Sequence, residues 1–282
     1  MRGSRSLSLV VALVLTVVLA PPASAKTDTV TRENVTAALS YEKNDFGFGN
    51  VRLRVVRDGV QLVNERGPGF RPCRSGCDFW PAFAPVNRRS IFLRNLDADP
   101  EPEVLGEFYT GGANCCRASR IYDFDPARTT YRRIDRECGT SAHRGARDID
   151  RDGSAELESA DARFRGLFGC TACTPQPLRV FKLRDGGLVD VTRRFTGLIT
   201  RDLRGLIGLF RRARREPLAA RGVLAAVTAE RYLLGRGRVA RRGLARALAR
   251  GELRGVRGDG VADGRAYVRR LLGFLTRAGY RR

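Results

Sequence analysis

Near its middle the chain carries the stretch Asp148-Ile149-Asp150-Arg151-Asp152-Gly153-Ser154-Ala155-Glu156. Carboxylates occupy positions one, three, five and nine of this stretch, and glycine occupies position six. Short acidic side chains at alternating positions converge on one centre when the backbone curls around it, and Ca²⁺ takes about six to eight oxygen ligands. The glycine supplies the positive φ that such a curl needs. This stretch, called the second acidic loop below, therefore predicts a calcium-binding loop.

An imperfect copy, called the first acidic loop, precedes it as Asn95-Leu96-Asp97-Ala98-Asp99-Pro100-Glu101-Pro102-Glu103. Its predicted ligands are Asn95, Asp97, Asp99, Glu101 and Glu103. Asn95 replaces the opening aspartate, and Pro100 takes the place of the glycine. Because the proline ring fixes φ near about −65°, this position cannot adopt a positive φ. The calcium prediction is therefore weaker for the first loop than for the second.

The two loops lie within matching runs of strand patterns, which indicate a duplicated unit. The loops start 53 residues apart, a spacing that suits repeat units of four strands. Strands are predicted in the first unit at residues 90–94, 103–109, 119–124 and 130–134, and in the second at 145–147, 156–160, 178–183 and 188–192. Upstream, residues 35–41 predict a strand after an irregular start at residue 26, and residues 51–56 and 60–63 predict a hairpin.

The apolar pattern changes period after residue 195. Leu198, Ile199, Leu203 and Leu206 recur at helical spacing, and Pro217 marks a helix start. The predicted fold class is therefore α+β, with an antiparallel β-repeat domain of propeller-blade-like units over residues 26–195. A small Arg-rich helical domain follows over residues 196–282. About three four-stranded units precede the helices, too few for a complete propeller, so a sandwich-like assembly and an oligomer are open alternatives.

The loop of an EF-hand begins with the same aspartate spacing. An EF-hand also needs a bidentate acid at position twelve of the loop and a helix on each side. Position twelve is Ser159 in the second loop and Gly106 in the first, and the flanks have strand patterns, so this motif is excluded. The second loop instead resembles the calcium loop of FG-GAP or VCBS-type repeats, which occur in integrin-like β-propellers and in exported bacterial proteins. Residues 110–116 and 190–195 resemble segments of uncharacterised exported bacterial proteins.

This resemblance covers roughly residues 88–195. It is specific for the loop and not for any activity. By the resemblance, Ca²⁺ would be held by Asp148, Asp150, Asp152, Ser154 through its carbonyl, and Glu156.

The N-terminal residues have the pattern of a secretory signal peptide. Arg2 and Arg5 precede an apolar run over residues 7–20, and Ala23-Ser24-Ala25 provides a small-residue cleavage site. The run is short for a bilayer span, which needs about 20 residues. We therefore expect residues 1–25 to be removed and the mature protein to be secreted or held at the cell envelope.

Seven cysteines fit an oxidising compartment, where disulfides persist. They are Cys73, Cys77, Cys115, Cys116, Cys138, Cys170 and Cys173. Because seven is odd, at least one thiol is free or paired between chains. The short spacing of Cys73 and Cys77 predicts a local disulfide. Cys170 and Cys173 fit a structural disulfide better than a redox pair, since no βαβ pattern surrounds them. Cys115 and Cys116 are expected to pair with separate partners, such as Cys138.

The formal net charge of +22 is concentrated at the C-terminal end. From residue 193 onward the chain has 24 arginines against six acidic residues, a balance of +18. Such a surface favours an anionic wall polymer or a membrane surface, although 49 arginines against three lysines in the whole chain also fit a codon bias. Nucleic acid fits poorly, because the protein is predicted to be exported and aromatic residues are not interleaved with the arginines. A protein or glycan partner of the β domain is not identified by the sequence.

Catalytic motifs are scarce in the sequence. His143 is the single histidine, which excludes a His-rich metal site, and no Gly-x-Ser-x-Gly elbow, phosphate loop or dinucleotide fingerprint occurs. Acid pairs for glycoside hydrolysis could still lie among the carboxylates. The sequence therefore predicts an exported calcium-binding β-repeat protein that acts as a binding or structural module at the cell envelope, with an exported hydrolase as the alternative.

Overall fold

The computed structural model describes residues 25–45, 47–68, 79–112, 115–139, 145–255, 260 and 263–281. Within these ranges three antiparallel sheets precede four α-helices. This order confirms the predicted α+β class and the helical C-terminal region. The predicted signal peptide up to residue 24 and the disulfide predicted between Cys73 and Cys77 lie outside the described residues.

The first sheet is an antiparallel meander of β1 (Ala25–Arg32), β2 (Val35–Asn44), β3 (Gly47–Arg57) and β4 (Val60–Arg66). Alternate residues at the start of β2 are buried, as the period-two pattern predicts. The turn after β3 has positive φ at Asp58 and Gly59, the geometry of a two-residue hairpin. The irregular start predicted at residue 26 is wrong. β1 is mostly polar and exposed, but it pairs with β2 along its whole length.

The second sheet contains β5 (Trp80–Pro81), β6 (Ile91–Arg94), β7 (Glu103–Gly112), β8 (Cys115–Asp125) and β9 (Thr130–Gly139). β7 to β9 form a meander, and both β5 and β6 pair with β7. The third sheet is a meander of β10 (Gly145–Arg147), β11 (Glu156–Ala160), β12 (Leu178–Arg184) and β13 (Gly187–Asp190). Each strand predicted in the two units overlaps an observed strand. The first acidic loop connects β6 with β7, and the second connects β10 with β11.

Four helices follow the sheets, namely α1 (Thr196–Ala213), α2 (Pro217–Leu233), α3 (Gly237–Ala249) and α4 (Gly264–Arg277). Pro217 begins α2, where its missing N–H costs no helical hydrogen bond. α2 is buried on nearly every side, whereas α1, α3 and α4 each bury one apolar face and expose arginines. None of the described helices is long and apolar enough to cross a membrane.

The layers pack in chain order, with an apolar core at each junction. One core joins the first and second sheets around Leu53 and Phe108. Another joins the second and third sheets, next to the acidic loops. A third extends from Val180 of the third sheet to Leu224 of α2 and onward through the helices. The helices therefore share a core with the third sheet. Within the described residues the sheets do not close into a propeller, and the repeat interpretation stays a prediction.

Candidate metal centre

The two acidic loops share two features of backbone conformation. Position four of each loop is left-handed, with a φ of 71° at Ala98 and 60° at Arg151. In each loop the N–H of position two donates to the glutamate at position nine. The distance is 2.5 Å to Glu103 Oε2 and 2.8 Å to Glu156 Oε2. The loops are therefore equivalent at the positions that fold the chain back on itself.

Three acidic side chains converge in each loop. They are Asp97, Asp99 and Glu103 in the first loop, and Asp148, Asp150 and Glu156 in the second. Within each group, one carboxylate oxygen from every residue lies within 4.8 Å of the others, a spacing at which one hard cation can contact all three. Pro100 does not prevent this convergence, although Gly153 at the same position has a φ of 91° that proline cannot adopt.

The other predicted ligands form contacts within the protein. Ser154 donates its hydroxyl to Asp152 over 2.9 Å. Glu101 accepts a hydrogen bond of 2.8 Å from Arg57, and Asn95 bonds to the backbone of its own loop. Of the ten predicted ligands, the structure brings six together in two groups of three.

The two acidic loops lie side by side at the junction of the second and third sheets. The Ala155 N–H of the second loop donates to the Asn95 carbonyl of the first loop over 2.9 Å. Leu96, Ala155 and Leu157 belong to the same buried core. A cation held by either loop would therefore stabilise the strand connections at this junction.

Lys182 of β12 supplies a cation to the second loop. Its ammonium group donates to Asp152 and lies 3.2 Å from Glu156 Oε1 and 4.0 Å from Asp150 Oδ1. The lysine side chain is 6% exposed, and its hydrogen bond lowers the pKa of Asp152. Sequence analysis missed this residue. Lys182 lies in β12, which pairs with β11. The register between two strands cannot be determined from a local sequence pattern, so the contact with the loop could not be predicted.

The first loop has no such lysine. Among the described residues, no lysine or arginine forms an ion pair with Asp97, Asp99 or Glu103. Glu103 is 1% exposed. Its burial and the neighbouring charges of Asp97 and Asp99 raise its pKa to about 8, against the lowering effect of the backbone hydrogen bond.

These charges decide how well each loop fits a divalent cation. A buried carboxylate without a cationic partner is costly to ionise, and a bound divalent cation would offset this cost at the first loop. At the second loop the ammonium group of Lys182 already contacts the carboxylates. By charge alone a divalent cation fits the first loop better, whereas the loop sequence favours the second.

Cys170 and Cys173 form a disulfide, as predicted. This turn between β11 and β12 packs directly on α2, since a Cβ added at Gly222 would lie 2.9 Å from the Cys173 carbonyl oxygen. Cys116 is also disulfide-bonded. The side chains of Cys115 and Cys138 lie outside the described part of the chain.

A different buried carboxylate, Asp161, links the third sheet to the C-terminal end. It is 4% exposed and accepts hydrogen bonds of 2.6 Å from Arg163, 3.0 Å from Arg179 and 2.8 Å from the Tyr280 hydroxyl. Burial alone would raise the pKa of Asp161, but the hydrogen bond from Arg163 and the charge of Arg179 lower it to about 2. Asp161 also lines a cleft of about 370 Å³ together with Asp190. Because it stays ionised, it does not suit the role of a general acid.

Comparison with known proteins gives a limited result. No family model matches the chain, and no solved structure matches it. The chain is similar to a probable thylakoid lumen protein of Synechocystis sp., with 29% identity over 110 residues. The match covers 39% of this chain and 32% of the relative. The chain thus spans about a third of the length of the curated relative that it matches.

Proposed function

We propose that this chain is an exported calcium-binding β-sheet protein that acts as a binding or structural module at the cell envelope. The observation that carries the proposal is the convergence of three carboxylates in each of two similarly folded loops at one sheet junction. The FG-GAP or VCBS-type repeat assignment belongs to the same proposal, and the loop sequence supports it.

Export is supported by three observations. The N-terminal residues have the pattern of a secretory signal peptide. The relative from Synechocystis sp. is named as a probable thylakoid lumen protein, and a lumen is reached only by export. The disulfide between Cys170 and Cys173 fits an oxidising compartment.

The first loop is the better candidate for the ion. Asp97, Asp99 and Glu103 would hold Ca²⁺, which supplies the positive charge that the buried Glu103 lacks. Since these oxygens converge only in the folded chain, the ion would act first on stability. It would stabilise the junction that the two loops share.

A binding role is also supported by the basic helical surface. The exposed arginines of α1, α3 and α4 include Arg201, Arg204, Arg211, Arg212, Arg238, Arg241, Arg242, Arg246, Arg265, Arg269, Arg270 and Arg277. An anionic wall polymer or an anionic membrane surface fits this charge. The alternative of an exported hydrolase has weaker support, since the two carboxylates in the cleft beside β12, Asp161 and Asp190, are both bound by Arg179.

Thermal unfolding in the presence of Ca²⁺ or a chelator tests the proposal. A ligand that binds only the folded chain, at about 100 times its Kd, adds about 2.7 kcal/mol to the free energy of unfolding. We expect Ca²⁺ to raise the Tm of residues 26–282, and Asp97→Asn to abolish this rise. Asp185→Asn is the matched control, because it removes an exposed acid from a turn outside the loops. Equal Tm values with Ca²⁺ and with chelator would reject the calcium proposal.

A further inference from the structure

We infer that Lys182 is the resident cation of the second acidic loop and excludes Ca²⁺ from it, so that calcium binds at the first loop alone. The inference rests on the proposed function for the first loop. The inference concerns the second loop, whose sequence matches the calcium-binding pattern better than that of the first loop does.

The contacts of the second loop leave little room for a metal ion. The Lys182 ammonium group bonds to Asp152 and Glu156 and lies 4.0 Å from Asp150. Calcium–oxygen distances are about 2.3 to 2.6 Å, so an ion that took Asp152 and Glu156 as ligands would compete with the ammonium group for the same carboxylate oxygens. The lysine side chain is 6% exposed, so most of its length is packed against the protein.

The remaining carboxylates of the second loop also accept hydrogen bonds. Asp148 accepts backbone N–H groups of Asp152 over 3.1 Å and of Gly153 over 3.0 Å, one at each carboxylate oxygen. Arg194 donates to the second oxygen of Asp150 over 3.1 Å. Backbone N–H groups also donate to the carboxylates of the first loop, so the two loops differ in the cationic partners that Lys182 and Arg194 supply to the second.

Strand register explains why the two loops differ. Leu157 pairs with Phe181, which brings Lys182 level with Glu156 on the neighbouring strand. In the second sheet Val104 pairs with Tyr122, which brings Asp123 level with Glu103 in the same way. The same position of the two units thus carries a lysine in one and an aspartate in the other.

The opposite charges of Lys182 and Asp123 have opposite effects on the two loops. Lys182 adds a positive charge beside Glu156, which is fully buried. Asp123 adds a negative charge to the surroundings of Glu103 and is itself paired with Arg132 over 2.7 Å. Lys182 therefore offsets the negative charge of the buried glutamate at the second loop, as a divalent cation would at the first loop.

The test compares calcium stoichiometry in wild type and in Lys182→Gln, using residues 26–282 after chelator treatment and CaCl₂ as the only added ligand. Wild type should bind one Ca²⁺, which Asp97→Asn abolishes and Asp150→Asn leaves unchanged. Lys182→Gln should bind two, and adding Asp150→Asn should remove the second. Lys182→Arg, which keeps the positive charge, should bind one.

A stability measurement gives an independent result. Without its cation the buried Glu156 is unpaired, so Lys182→Gln should melt at a lower temperature than wild type in chelator, and Ca²⁺ should raise its Tm more than it raises that of wild type. A folded Lys182→Gln chain that gains no calcium site would overturn the inference. Weaker calcium binding in the Asp150→Asn variant than in wild type would also overturn the inference. This result does not depend on the folding of Lys182→Gln.

These results separate the inference from the proposed function. If wild type binds no Ca²⁺ while Lys182→Gln binds one that Asp150→Asn removes, then Lys182 excludes calcium as inferred and the first loop is not a calcium site. If wild type binds two ions and both loops respond to mutation, calcium binding stands and the role of Lys182 is refuted.

Discussion

Replacing Asp161 with asparagine should weaken the attachment of the C-terminal end of the chain to the third sheet. The carboxylate is 4% exposed and accepts hydrogen bonds from Arg163, Arg179 and the Tyr280 hydroxyl. Asparagine keeps the size of the side chain but removes its charge. Both arginines would then lose an ionic partner, and one of two acceptor oxygens would become a donor NH₂ group.

The size of the effect follows from the pKa of Asp161 and from the surroundings of its partners. A carboxyl group with a pKa of about 2 when folded and about 3.9 when unfolded contributes about 2 to 3 kcal/mol to stability at neutral pH. Removing one partner of a buried ion pair costs about 3 to 5 kcal/mol. Arg163 is 49% exposed and Arg179 keeps its pair with Asp190, so the smaller figure applies. We expect Asp161→Asn to lose about 2 to 3 kcal/mol of unfolding free energy.

Urea unfolding followed by circular dichroism measures this loss, with Asp185→Asn as the control. Because folding lowers the pKa of Asp161, its stabilising effect is complete above the unfolded pKa and is lost as the pH falls through the folded one. The difference between wild type and Asp161→Asn should therefore narrow by about 1 kcal/mol from pH 7 to pH 3. A loss below about 0.5 kcal/mol, the range of ordinary surface substitutions, would refute the reasoning.

Three further predictions concern other junctions and surfaces. Tyr280→Phe removes one hydrogen bond to Asp161 and should cost about 1 to 3 kcal/mol in the same urea assay, since the acceptor is charged; an unchanged midpoint would contradict this. Leu157→Ala leaves a cavity in the core beside the acidic loops and should cost about 2 to 5 kcal/mol, and a smaller loss would show that the junction is loosely packed. Residues 26–282 should bind vesicles containing anionic lipid and dissociate as salt approaches about 1 M, where the Debye length is about 3 Å. The helices are not tested alone because they share a core with the third sheet, and no binding at low salt would count against the basic surface.

Strands with an alternating apolar pattern were predictable from the sequence, and a polar strand was not. Val35, Ala37 and Leu39 of β2 alternate with less buried residues, so the local pattern carried the information. β1 buries only Asp28 and is held by pairing with β2. Its formation therefore depends on a neighbouring strand, and no pattern within residues 25–32 indicates it.

The candidate site was also predictable only where the information lies in the local sequence. The spacing of the acidic residues indicated both loops and the six carboxylates that converge. The positions of Lys182 and Asp123 opposite those loops depend on pairing between strands that are about 20 to 30 residues apart in sequence. The preference between the loops depends on these two residues, so the loop sequences alone favoured the second.

Calorimetric titration of Ca²⁺ into residues 26–282, after removal of bound metal, tests the central claim most directly. The structure leads us to expect saturable binding to wild type that is lost in Asp97→Asn and retained in the control Asp185→Asn. The reason is that Asp97 is one of three converging carboxylates without an ion-pair partner among the described residues. No binding heat in wild type, or undiminished binding in Asp97→Asn, would contradict the assignment of the first acidic loop as a calcium site.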